Sequence, residues 1–184
     1  MICAEPSHNM TCIRAESQVT TQSFLSRYPV FNLEMAREHL PGDARQRIQH
    51  AVEAGRAITL RRGVYATVPE GVPAQQYSPD RYLVLAASYP DAMLAGHAAL
   101  ELLGLAHSEW NSCSAYSTQR RLKFRVRSVE YSTVVPPAKL VHAGRQELGV
   151  LTSTRGNLNI RHLGIERCIV DGFDRPRLFG GVVE

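Results

Sequence analysis

The stretch RAITLRRGVYATVPEG, residues 56–71, reads as a strand, a tip of two arginines and a glycine, and a second strand that ends at a proline. Ile58 to Leu60 and Val64 to Val68 carry the apolar and β-branched residues of a hairpin, and Gly63 supplies the backbone freedom its tip needs. Two cations at such a tip have two readings. They keep the hairpin soluble, or they touch something anionic.

What precedes the hairpin bears on that choice. Asp43 stands as an N-cap with Gln46 three residues on, the spacing of a capping box. Ala44, Ile48, Ala51 and Val52 then fall at i, i+4, i+7 and i+8, which predicts a helix with one buried stripe, ended by Gly55. Asn32 is the N-cap of a second helix over 33–40, and residues 16–28 suit a first amphipathic helix that Pro29 stops. Three short helices running into a hairpin is the order of a winged helix-turn-helix, expected over residues 16–68.

The outer face of the third helix carries Gln46, Gln49, His50 and Glu53, flanked by Arg45 and Arg47. Glutamine pairs bidentately with adenine, and arginine with guanine or phosphate. Residues 41–63 hold five arginines against Asp43 and Glu53, while the rest of the first 75 residues carries an excess of two acids. Positive charge therefore gathers on the helix and hairpin that would face DNA. Arg45, Gln46, Arg47, Gln49, His50, Arg61 and Arg62 are the candidate contacts. The plain alternative is a solvated small helical domain.

Three prolines in PEGVPAQQYSP, residues 69–79, read as a linker. Beyond it, residues 80–88 suit a helix, and AMLAGHAALELLGL, residues 92–105, is apolar nearly all round, which predicts one buried helix. Strand patterns follow at 112–117, 122–126, 129–135 and 150–153 and within GNLNIRHLG, and then a helix over 165–173. The second unit, 80–184, is thus mixed α and β, and the fold class is α+β. In QRRLKFRVR, residues 119–127, Arg121, Lys123, Arg125 and Arg127 alternate with Leu122, Phe124 and Val126. On a strand this sets four cations on one face, either a charge-protected edge or a second basic surface for an anion or a partner.

The chain has 184 residues, 44% hydrophobic and 21% charged, with a formal charge of +4, enough length for a core without staples. Its four cysteines lack paired spacing, and Cys3, His8 and Cys12 lack a fourth ligand, so neither a metal nor another cofactor is expected. G-x-S-x-G, P-loop and H-E-x-x-H patterns are absent, and the residues make no case for an enzyme or a small-molecule substrate. His97 reads as a core histidine, and Arg167 with Asp171 as an ordinary i, i+4 helix pair. The first residues lack the pattern of a signal peptide, and no apolar run reaches the ~20 residues of a membrane span. A cytoplasmic protein is expected.

LRRGVYA closing a small helical unit, AGHAALELLGL opening the next, and GIERCIVDGFDRPRLFGG near the end together resemble the AbiEi-type antitoxins of type IV toxin–antitoxin systems. The resemblance covers residues 24–184, and its last motif is the most specific. It implies a winged-helix DNA-binding domain joined to a C-terminal antitoxin domain, which the family pattern extends past Glu184. It also implies repression through inverted repeats in double-stranded operator DNA, and action against a nucleotidyltransferase toxin. Glu166, Arg167, Asp171, Asp174 and Pro176 match the C-terminal signature and read as structural. Two other readings stay open: the N-terminal part of a short-patch-repair-like endonuclease, although no D…(D/E)-x-K core is visible, and a protein-interaction module using residues 121–127.

Overall fold

Short polar side chains start the helices of the first half. In the computed structural model, which describes residues 20–118 and 123–181, Thr20 caps α1 (Thr21–Arg27) by accepting from the Ser23 amide. Asn32 caps α2 (Leu33–His39) through Met35, and Asp43 caps α3 (Ala44–Glu53) through Arg45 and Gln46. Asp80 caps α4 (Arg81–Ser88) through Tyr82 and Leu83. Each such bond satisfies an amide the helix cannot, an effect of about 1 kcal/mol.

The apolar stripes of the first three helices meet in one cluster of Phe24, Leu25, Tyr28, Phe31, Ala36, Leu40, Ala44, Ile48 and Ala51. Beside it lies an antiparallel sheet of β1 (Val30–Asn32), β2 (Ala57–Arg61) and β3 (Val64–Thr67), in the order β1-β3-β2. The hairpin is the expected one, with a register shift between Thr59 and Arg61. The strand β1 was not expected. Its three residues are too few to show alternation, and only pairing with β3, Val30 opposite Ala66, defines them.

The larger sheet has six strands: β4 (Met93–Leu94), β5 (Ser112–Tyr116), β6 (Lys123–Val126), β7 (Val129–Val134), β8 (Val150–Arg155) and β9 (Leu158–Leu163). Their order is β6-β7-β5-β4-β9-β8, with β5–β7 and β4–β9 parallel and the other pairs antiparallel. Short helices α5 (His97–Leu102) and α6 (Ala138–His142), with α7 (Ile165–Asp174), complete the mixed α+β fold of seven helices and two sheets among the described residues.

Residues 92–105 correct the sequence reading. They form the central strand β4 and the separate helix α5 rather than one helix. A strand buried on both faces is apolar throughout, so its composition mimics a buried helix. Gly96 makes the break, with φ of 66° and the Leu178 carbonyl packed against its α-carbon.

The helix α4 lies between the two sheets and contacts β1 and β3 on one side and β5 and β9 on the other. One buried cluster therefore runs from Val30, Val64 and Ala66 through Leu83, Val84 and Leu85 to Leu94, Ala115, Tyr131 and Ile160. Residues 69–79 connect the parts through turns, and Tyr77 packs on this same cluster. On the opposite face of the larger sheet, Met93, Tyr116 and Leu163 meet Ala99, Cys168 and Phe179.

Candidate nucleic-acid interface

Helix α3 turns Ala44, Ile48 and Ala51 inward, and its capped N-terminus leaves Arg45, Gln46, Gln49 and His50 exposed. Gln49 donates to the Glu53 carboxylate at 3.0 Å, so its amide is partly engaged along the helix. Arg47 is half-buried and reaches Thr21 Oγ1 of α1 at 3.4 Å. Arg56 donates to Gln22 Oε1 at 3.1 Å. Arg45 and Arg62 are exposed, with no side-chain partner among the described residues.

The two tip arginines part company. Arg62 faces solvent. Arg61 turns back onto the larger sheet, its guanidinium 5.0 Å from the Tyr89 ring centroid and 4.6 Å from that of Phe124. It also donates to the Tyr89 hydroxyl. The residues that hold it lie 28 and 63 positions along the chain, and no local pattern flags them. The exposed candidates without a side-chain partner among the described residues are therefore Arg45, Gln46, His50 and Arg62.

The second basic cluster is arranged differently from the sequence expectation. The alternation is present: Val126 is buried and Phe124 stacks on Tyr131 at 4.8 Å, while Lys123 and Arg125 are exposed. Both cations pair with Glu130 on β7, at 2.8 and 3.5 Å. The Lys123 ammonium bonded to it, with Arg125 alongside, holds the Glu130 carboxyl below its ordinary range. Arg127 leaves the strand in a turn with φ of 55° and donates to the Ala74 carbonyl at 2.9 Å. Arg121 lies outside the described residues. Glu130 thus offsets much of the charge on this edge.

Buried polar groups elsewhere are tied into the fold. His97 stacks on Trp110 at 4.3 Å, with Nδ1 3.1 Å from Glu101 and Nε2 3.3 Å from the Ser108 hydroxyl. Glu101 also receives Arg81 at 2.9 Å, the Trp110 amide and the Tyr82 hydroxyl. The Arg167–Asp171 pair forms at its i, i+4 spacing. It is buried, with Nε 2.9 Å from both carboxylate oxygens and Nη1 on the Leu148 carbonyl at 2.6 Å. Glu166 and Asp174 are exposed, and Pro176 opens a 3₁₀ turn.

Among the described residues, no cluster of three His, Cys, Asp or Glu could hold a metal, and no helix is long and apolar enough to cross a membrane. Compared with protein-family models and with curated proteins, the chain matches none.

Proposed function

We propose that the chain is a DNA-binding transcriptional repressor, with α3 in the major groove and the β2–β3 hairpin as a wing over the flanking backbone. The observation that carries this reading is the exposed Arg45, Gln46 and His50 face of α3, followed in sequence by a hairpin that projects Arg62. The element order α1-β1-α2-α3-β2-β3 and the sheet order β1-β3-β2 support a winged helix-turn-helix for residues 20–68. In this reading Arg45 and Arg62 bind phosphate, Gln46 and His50 meet base edges, and Arg61 braces the wing from behind.

From its resemblance to the AbiEi-type antitoxins, the chain represses its own operon through inverted repeats and counteracts a nucleotidyltransferase toxin. The DNA reading is tested by selecting duplexes from a random library with the purified chain. Binding of the selected duplex is then titrated with salt. The expected result is a recurrent sequence, bound more tightly than random DNA, with affinity that falls as salt rises. Enrichment of no sequence over random DNA would sink the repressor assignment. The toxin arm is tested by co-expression with the nucleotidyltransferase, where relief of growth arrest is expected and unrelieved arrest rejects it.

A further inference from the structure

The two edges of the larger sheet are not alike. β6 carries Lys123 and Arg125, the charges that ordinarily keep a sheet edge from pairing. β8, at the other edge, reads VLTSTR, with no proline, lysine or bulge, in continuous register with β9 from Val150 opposite Leu163 to Arg155 opposite Leu158. Five of its six residues are exposed, Leu151 among them. Arg155, its one charged residue, is drawn away to Asp80 at 2.5 Å and over the Tyr82 ring.

The hydrogen-bond phase of β8 fixes what its open side offers. The Gly164 amide donates to the Gly149 carbonyl at 2.8 Å, and the two-residue turn closes at Arg155 and Leu158. Hydrogen-bonded pairs alternate in an antiparallel ladder, so residues 151, 153 and 155 spend their amides and carbonyls on β9. Thr152 and Thr154 aim theirs outward, where no described strand lies, whereas the Val150 amide is satisfied by Glu147 at 3.1 Å.

We infer that a second copy of this chain pairs with β8, strand against antiparallel strand about a two-fold axis at Ser153, joining the two larger sheets into one. The edge is self-complementary in that register. Thr152 of each copy faces Thr154 of the other, which closes four backbone hydrogen bonds. Small hydroxyl side chains meet at the centre, Leu151 faces Arg155 across the axis, and no like charges are opposed. A six-residue edge is smaller than the roughly 800 Å² per partner of a stable interface, so association depends on concentration. The dimer does not rest on the DNA reading, although it would carry two α3 helices with the symmetry of an inverted repeat.

The test is sedimentation velocity of the purified chain from roughly 1 μM to 1 mM, with amide exchange followed in parallel. Wild type is expected to shift from monomer to dimer, with the Thr152 and Thr154 amides slowing as it does. T152K/T154K and T152E/T154E set like charges opposite each other, so each alone stays monomeric, while their equimolar mixture associates. Thr152→Pro, which removes an outward donor and leaves the β9 ladder intact, provides a monomeric variant should the charged ones fold poorly. A wild type that remains monomeric at the highest concentration overturns the inference and leaves the edge to a strand from a different protein. Dimers that persist unchanged in all three variants overturn it too, by locating the interface elsewhere.

Discussion

The Arg61 guanidinium lies 4.6 Å from the centre of the Phe124 ring, so the tip of the small hairpin and the edge strand of the larger sheet hold one cation in common. With the Tyr89 ring on the same guanidinium, the tip is fixed in place from behind.

Arg61 and Arg62 should therefore behave differently when truncated. Arg62→Ala is expected to weaken binding to all duplexes alike and to reduce the salt slope by about 1, the signature of one lost phosphate contact. Arg61→Ala should lower stability by roughly 0.5–2 kcal/mol through the lost ring contacts. A salt titration and a urea melt of both variants separate the roles. Equal salt slopes for the two would show that Arg61 also reaches phosphate.

Of the two glutamines of α3, Gln46 has no side-chain partner among the described residues, and Gln49 is bonded to Glu53. Gln46→Ala is expected to cost about 1–3 kcal/mol of discrimination between selected and random duplex, with Gln49→Ala costing less. Competition binding reads both. The reverse order would mean that α3 enters the groove by its C-terminal half.

Asp171→Ala leaves the Arg167 guanidinium buried without its carboxylate and should cost about 3–5 kcal/mol in a urea melt. The double variant R167M/D171L removes both charges and is expected to recover part of that loss. Full recovery is prevented by the Leu148 carbonyl, which loses its donor. A single variant as stable as wild type would make this motif residue dispensable to the fold.

Local signals were readable in the chain and long-range ones were not. The caps Asn32 and Asp43 act within three residues, so their helices could be placed from sequence, and the outer face of α3 followed from its 3.6-residue period. β1 and β4 escaped because three and two residues show no period and exist through partners 21 to 68 positions away. The capture of Arg61 by Tyr89 and Phe124 and the pairing of Lys123 and Arg125 with Glu130 are tertiary events. They changed the candidate site most. Burial of Arg167 and Asp171 was hidden for a related reason, since an i, i+4 pair looks the same on either face of a helix.

Alkaline pH should unfold the protein. Burial pushes the Cys168 thiol up to about 12 from an ordinary 9.0, and the Tyr82 hydroxyl up to about 12 from 10.0. Cys113, Tyr116 and Tyr131 are raised further, again chiefly by burial. The folded state keeps these groups protonated while the unfolded chain ionises them. Their stabilisation is complete below about pH 9 and is lost as pH rises toward 12. Urea midpoints should fall steadily between about pH 9 and pH 11, and phenolate absorbance should appear in step with unfolding. A flat midpoint across that range would show that these groups ionise freely in the native state.

Two glycines with left-handed backbones separate conformational strain from packing. Gly63, at the hairpin tip, has φ of 78° and open space where a β-carbon would stand. Gly63→Ala should therefore cost only the strain of that backbone, about 1–2 kcal/mol. Gly96 has φ of 66°, and a β-carbon there would lie 2.3 Å from the Leu178 carbonyl oxygen and 2.6 Å from its side chain. Relief of that clash requires moving backbone between α7 and the end of the described chain. Gly96→Ala should accordingly cost several kcal/mol, enough to threaten folding in a domain of ordinary stability. Urea melts or soluble yields of the two variants give the comparison. If Gly96→Ala proved as mild as Gly63→Ala, then Leu178 does not pack against the break between β4 and α5.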